Sequence, residues 1–596
     1  MTALRCLSLW LLVLFAACTE SQAPPATAAA SIDEFFQKFT DEWVGRNPNV
    51  AIALRYFEGE KQDQLSRELT PVTRAYELET IELARAALAD LARFDRNVLT
   101  PSQQLSADVM RYRLESIVDD ELYLDYDFPL EQFDGANVQL AEQLTVFSPV
   151  ATPRDAENYV ARLGQFDERM AEAVDRSEQQ AVAGVLPPRF ILTATIAQMR
   201  RFIAPTAVEN PLVTTLRDKM ANVAELAAPR RDELLAAAAT VVADEVYPAW
   251  RTAIAVLEAQ IPRAADGAGL ARFKRGAELY TERLRNFTTT NLTAEEIHTI
   301  GLAEVARIEA EMDTLFRSLG YTEGSIQDRE SRLRADLSYP NTADGRQQIM
   351  ADIDAMLADA LSRTGDSFPL RPRSLVIAQA YPEFRWENAG ARYSPPAPDG
   401  SRPGVFQIPL RASWLTRFGL RSLVYHETVP GHHFQVALVI EDDDLPAFRR
   451  KQVFAPLSAI GEGWGLYAEQ FAVEDGWYKE DPAGHLGQLS WALLRARRLV
   501  VDTGLHAMGR TREQAIAYGV EANEVERYAV NPGQACSYMI GRLEITRLRE
   551  HARETLSERF SIPDFHSLLL TVGAVPLDLL GQEVDEYIAE HGGAGK

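Results

Sequence analysis

Apolar positions recur at helical spacing along most of the chain. The segments "SIDEFFQKFTDEWV" (31–44), "RAYELETIELARAALADLARF" (74–94), "RDAENYVARLGQFDERMAEAVDRSEQQAV" (154–182) and "RDELLAAAATVVADEVYPAWRTAIAVLEAQI" (231–261) carry them at i, i+3, i+4 and i+7. Each therefore predicts a helix with one face to bury. "TAEE" (293–296) reads as a capping box that opens a helix through "IHTIGLAEVARIEAEMDTLFRSLG", and "TREQ" (511–514) opens another. Extended segments are few. "SLVIAQA" (374–380) is a β-rich run, and "RPGVFQIPL" (402–410) follows the loop "YSPPAPDGS" (393–401). The expected fold class is mainly α, with a small β-sheet. The helical pattern breaks at "PRAADGAGLARF" (262–273), which predicts an N-terminal helical lobe (31–265) and a C-terminal lobe (266–596).

The first residues follow a different pattern. Arg5 precedes an apolar run from Leu7 to Phe15, then Ala16, Ala17 and Cys18. This is the form of a secretory signal, residues 1–17, too short for a stable membrane span. "FAAC" also resembles a bacterial lipobox, with Phe15 where Leu is usual. The resemblance implies cleavage before Cys18 and lipidation of that cysteine. Thr19 follows where an inner-membrane retention signal would have Asp. An exported outer-membrane lipoprotein facing the periplasm is expected, or a periplasmic protein if the signal is an ordinary one. "TESQAPPATAAA" (19–30) reads as a flexible tether. Of three cysteines only Cys536 would remain free, and a small buried residue is its expected role.

Composition narrows the partners. The 596 residues are 46% hydrophobic and 25% charged, ordinary for a globular chain with a large core. The net charge of −25 repels phosphates, so nucleic acid is a poor partner.

The chemistry concentrates in "HETVPGHH" (426–433), which holds three of the chain's nine histidines. The zinc-hydrolase signature H-E-x-x-H works because residues four apart share a helical face. On a regular helix His432 would lie about 240° around and ~9 Å along from His426, and His433 ~10.5 Å along. Neither could share an ion with His426. The helix cannot be regular, because Pro430 lacks an N–H, Val429 precedes a proline, and Gly431 accepts any φ. A bulge there would return one histidine to the face of His426. His432 is preferred as that ligand, with His433 the alternative. Downstream, Glu462 and Glu469 in "SAIGEGWGLYAEQ" (458–470) are seven apart, hence on one helical face. Glycines 461, 463 and 465 leave room for a backbone or a ligand.

"GEGWGLYAE" resembles the third-ligand helix of the zinc aminopeptidases related to leukotriene A4 hydrolase. The resemblance implies Glu462 as the third ligand, with Glu469 orienting a histidine from behind. The gap from His432 is longer than that family's, and "EDDDLPAFRRKQ" (441–452) would supply the extra loop. Further stretches, "YSPPAPDGSRPGVFQIPL" (393–410), "YHETVPGHHFQ" (425–435), "VVDTGLHAMG" (500–509) and "ERYAVNPGQACSYMIGR" (526–542), resemble the bacterial DUF885 family with its HE-x-x-PGH signature. That likeness implies a mostly helical, zincin-like metallopeptidase fold and no particular substrate; one Zn²⁺ ion and a short-peptide substrate are the expectation drawn from the metal motif. Within that fold "GVFQIPL" is expected to be an edge strand beside the metal helix. Glu427 is the expected general base. Tyr538 and His506 are the favoured oxyanion donors. Arg527, Tyr528 and Gln534 are further substrate-contacting candidates, whereas Arg497 and Arg498 are expected to be salt-bridged or solvent-facing. A non-catalytic envelope module and a metal-dependent esterase or amidase remain as alternatives.

Overall fold

Helices dominate because their amphipathic segments are capped where the sequence marks them. A computed structural model describes residues 31–592 except 382, 384, 385, 387–389, 398, 399 and 401. The signal, Cys18 and the tether lie outside the described residues. Ser31 caps helix Ile32–Arg46, Thr293 and Glu296 box the start of Ala294–Ser318, and Thr511 and Gln514 that of Arg512–Ala517. The segment 154–182 forms two helices, Pro153–Leu163 and Phe166–Val182, divided at Gly164. The segment 231–261 also divides. A π turn, Val242–Val246, joins helices Ala228–Val241 and Tyr247–Gln260 just before Pro248, which has no N–H to give the ladder. No helix among the described residues is long and apolar enough to cross a membrane.

Three strands form one sheet: β1 (Val376–Ala380), β2 (Arg392–Ser394) and β3 (Gly404–Ile408), in the order β1-β3-β2. β3 pairs parallel to β1, with Phe406 opposite Ala378, and antiparallel to β2, with Phe406 opposite Tyr393. The expected edge strand is therefore the central one. Both of its hydrogen-bonding edges are taken, and Phe406 and Ile408 are buried beneath it. Strand addition to "GVFQIPL" is ruled out by that pairing.

The core does not follow a division at 262–273. Ile32, Phe36, Met110 and Leu114 share one cluster with Phe406, Phe434, Trp464 and Leu569. The helices between Leu130 and Ala264 enclose a second core around Phe166 and Trp250. The first helices thus pack with the C-terminal part, a long-range choice that no local pattern encodes.

Helix Ser458–Glu474 is held from both sides. Gly463 meets Gly541 of helix Gln534–Leu556, where an added Cβ would lie 2.6 Å from the facing Cα. On another face His566 packs against Trp464 and Phe471. Its Nδ1–H donates to Ser367 O (2.8 Å), and its Nε2 accepts from the Tyr467 hydroxyl (2.9 Å). Burial pulls this imidazole down to about 3. The folded value lies below the unfolded one, so the stability it contributes is present above about pH 6.5 and is lost as pH falls towards 3. His566→Gln is expected to reduce the slope of unfolding free energy against pH, between pH 6 and 4, by about 1.4 kcal/mol per pH unit. Urea unfolding at a series of pH values measures this. An unchanged slope would show that the ring is already charged in the folded state.

Candidate metal centre

His426 closes helix Leu420–Glu427, and His432 opens helix His432–Ile440. The break is complete rather than a bulge within one helix. Thr428 leaves helical geometry (φ −120°, ψ −95°), and the Val429–Pro430 peptide is cis. Gly431 N–H donates to Tyr425 O (3.0 Å), and His433 N–H to Thr428 O (3.1 Å). The Trp464 indole N–H donates to the carbonyls of Pro430 (3.0 Å) and Gly431 (3.1 Å). Gly431 runs against the first helix, where a Cβ would lie 2.0 Å from His426 O. This fold-back sets the two imidazoles edge-to-face with centroids 4.6 Å apart.

Glu462 completes the cluster. Its Oε2 lies 3.3 Å from His426 Nε2 and 3.6 Å from His432 Nε2, and the three ligand atoms lie within 4.8 Å of one another. Tetrahedral zinc with bonds of about 2.0–2.1 Å places its donors about 3.3–3.4 Å apart. The donor set, two imidazoles and one carboxylate, is also the chemistry such an ion takes. The residues therefore fit a metal. Gly465 sits beneath the His426 ring, where a Cβ would approach Cε1 to 2.5 Å. The three glycines have different surroundings: Gly463 meets a helix backbone, Gly465 meets the ring, and Gly461 faces open space.

The opposite ring nitrogen is also fixed. His426 Nδ1–H donates to Glu469 Oε1 (2.8 Å), and the other Glu469 oxygen accepts from the Ser422 hydroxyl. Glu469 is buried at 2% exposure, so this bond fixes the ring with Nε2 directed at the cluster. Burial alone would lower the His426 imidazole, but Glu462 and Glu469 outweigh it and push it up to about 10. Burial raises the Glu462 carboxyl, and the two histidines reverse this and hold it well below the usual carboxylate range. These opposed shifts describe an imidazole strongly paired with two carboxylates. Glu469→Gln is expected to keep the fold and weaken zinc binding by about 10–100-fold. Competition against a fluorescent chelator measures this, and an unchanged affinity would remove Glu469 from the site.

Glu427 is adjacent, 8% exposed, and accepts no hydrogen bond from another described residue. His433 points elsewhere. Its Nδ1 accepts from the Tyr393 hydroxyl of β2 (3.0 Å), and its Nε2–H donates to Ser374 O (3.0 Å). Burial pulls this ring down to about 4. It ties the second helix to the sheet instead of joining the cluster.

Two candidates require correction. His506 is buried, with Nδ1 accepting from Leu270 N–H (3.2 Å) and Nε2–H donating to Tyr528 O (3.0 Å). Both nitrogens serve backbone groups, so no donor is left for an oxyanion. Tyr528 is fully buried, its hydroxyl donating to Glu524 (2.8 Å) and accepting from Arg498 (3.1 Å), so it meets no substrate. Arg527 donates to Gln534 Oε1 (2.6 Å) and Glu524 (3.1 Å), which makes it a brace for Gln534. Gln534 Nε2 reaches Ser458 Oγ at 3.3 Å, at the start of the helix that carries Glu462. Tyr538 is half-buried: burial raises its hydroxyl pKa, and the Glu462 charge adds to the rise. Arg498 is salt-bridged to Glu524, and Arg497 to Glu309. Cys536 is a buried free thiol. The residues that sequence reasoning missed are Ser422 and Trp464. Ser422 carried a signal, since it stands four before His426 on the same helical face.

The family described as "Bacterial protein of unknown function (DUF885)" matches residues 49–584. A crystal structure of a protein from Colwellia psychrerythraea, described as a lipoprotein, superposes with a TM-score of 0.89. It has 29% identity over 94% of this chain and 99% of its own. A protein of unknown function from Shewanella oneidensis, also described as a lipoprotein, gives 0.69 with 20% identity, over 93% of this chain and 99% of its own. No curated protein matches.

Proposed function

The chain belongs to the DUF885 family, and for this member we propose a zinc-dependent hydrolase, a metallopeptidase acting on short peptides. The observation that carries the reading is the pair of imidazole nitrogens 3.3 and 3.6 Å from one Glu462 oxygen, beside Glu427, to which no other described residue donates a hydrogen bond. A binding module has no need of that second carboxylate. His426, His432 and Glu462 would hold one Zn²⁺ ion, which when bound supplies Lewis-acid polarisation of a carbonyl and acidifies water. Glu427 takes the proton of the attacking water at a carboxylate oxygen and delivers it to the departing amine nitrogen. The Tyr538 hydroxyl donates to the carbonyl oxygen as negative charge gathers there. Glu469 and Ser422 keep the His426 ring in one orientation throughout. Nothing in these groups restricts the acyl bond to an amide, so esters are included in the reading.

The export reading rests on the signal-like segment with Cys18, and two similar structures described as lipoproteins support it. In this reading the enzyme is tethered by lipid on Cys18 to the outer membrane and faces the periplasm.

The test is digestion of a mixed peptide library by zinc-loaded protein, read by mass spectrometry, with Glu427→Gln as the control. New termini in the wild-type digest alone are expected. Identical digests would refute the proposal.

A further inference from the structure

Beside the metal cluster lies a group of cations with too few anions. Arg495 and Arg498 stand one turn apart on helix Pro482–His506, and both guanidinium groups lie over the Tyr538 ring, at 6.0 and 4.4 Å. Arg527 belongs to the same group, since it and Arg498 meet on one carboxylate. One carboxylate, Glu524, serves two of the three: its Oε2 lies 2.9 Å from Arg498 Nη2 and 3.1 Å from Arg527 Nη2. Arg495 has no acidic partner among the described residues, and its one hydrogen bond runs to Trp491 O (3.3 Å). Arg495 Nε and Arg498 Nη1 are buried without any hydrogen-bond partner. The two residues are 6% and 7% exposed.

Buried guanidinium nitrogens without acceptors are costly; single ones occur elsewhere in the chain, at Arg46, Arg162, Arg169 and Arg231, but here two belong to neighbouring arginines stacked on one ring. The excess is more telling because the chain has 86 acidic against 61 basic residues. A surplus of cations at this one place, stacked on Tyr538, calls for an anion from outside. The guanidinium fork matches a planar carboxylate.

We propose that Arg495 and Arg498 bind the free C-terminal carboxylate of the substrate, so that the site selects peptides with a free C-terminus and cleaves near that end. This rests on the hydrolase reading above for its substrate class, but the anion site itself does not.

The test uses the full chain carrying Glu427→Gln, zinc-loaded and metal-free. Two fluorescent peptides, identical except for a C-terminal acid or amide, are compared by anisotropy. The acid is expected to bind at least ten-fold more tightly in both metal states. Arg495→Gln is expected to bring that ratio below three with an unchanged melting temperature, and Arg495→Lys to restore part of it. Equal binding of acid and amide would overturn the proposal. So would a preference that vanishes with the metal, which would put the carboxylate on the ion instead. Should Arg495→Gln fail to fold, the acid-to-amide ratio in the two metal states still decides. Wild-type protein separates the two readings. An intact acid preference with neither peptide hydrolysed would defeat only the hydrolase reading. Hydrolysis of both at equal rates would defeat only the carboxylate site.

Discussion

Glu427→Gln is expected to retain zinc at the wild-type stoichiometry and to lose about 10²–10⁴-fold in kcat, the range that a positioned general base supplies. The substitution is nearly isosteric. It removes the carboxylate that accepts the proton but keeps the volume beside His426. Glu427 accepts no hydrogen bond from another described residue, so no structural bond is lost with it, and the melting temperature should hold. His426, His432 and Glu462 keep their mutual distances because the fold-back at Pro430 and Gly431 is fixed by Trp464, not by Glu427. In barrier terms the loss is about 2.7–5.5 kcal/mol. Steady-state kinetics on a cleaved library peptide, with metal analysis of the same sample, gives both numbers. Loss of zinc together with activity would mean that Glu427 is a ligand rather than the base.

His426→Ala is expected to do the reverse, abolishing zinc binding and activity together. The ring joins Glu462 through Nε2 and Glu469 through Nδ1, so its removal takes one of three donors and leaves both carboxylates without their shared partner. The fall in affinity should exceed the about 100-fold that loss of an outer hydrogen-bond partner costs. The fold should also weaken, because Glu469 is buried and keeps only the Ser422 hydroxyl. Elemental analysis after dialysis against zinc, with a thermal melt, measures the two effects. Wild-type zinc content in this variant would place the ion elsewhere.

What was legible in the sequence is what depends on local geometry. Pro430 and Gly431 announce a broken helix, and the seven-residue spacing of Glu462 and Glu469 announces one face. Glu462 as the third member came from the likeness of "GEGWGLYAE" to a zinc-aminopeptidase helix, and His426, His432 and Glu462 do come together. The capping boxes at Thr293 and Thr511 are local in the same way. What failed depends on partners far along the chain. Whether His506 faces a cleft or a core is decided by Leu270, 236 positions away, and by the backbone of Tyr528. Whether "GVFQIPL" is an edge or a centre is decided by Val376–Ala380 and Arg392–Ser394, which close on either side of it. Arg498 reads as a salt-bridged residue and is one. Its spare Nη1 becomes visible only once Tyr538 is laid against it.

The central claim is that His426, His432 and Glu462 share one metal ion. Crystals soaked in zinc, with anomalous diffraction collected at the zinc edge, test it most directly. The account predicts a single strong peak about 2.0–2.2 Å from His426 Nε2, His432 Nε2 and a Glu462 oxygen. A peak on His433, or none among these three residues, would contradict it.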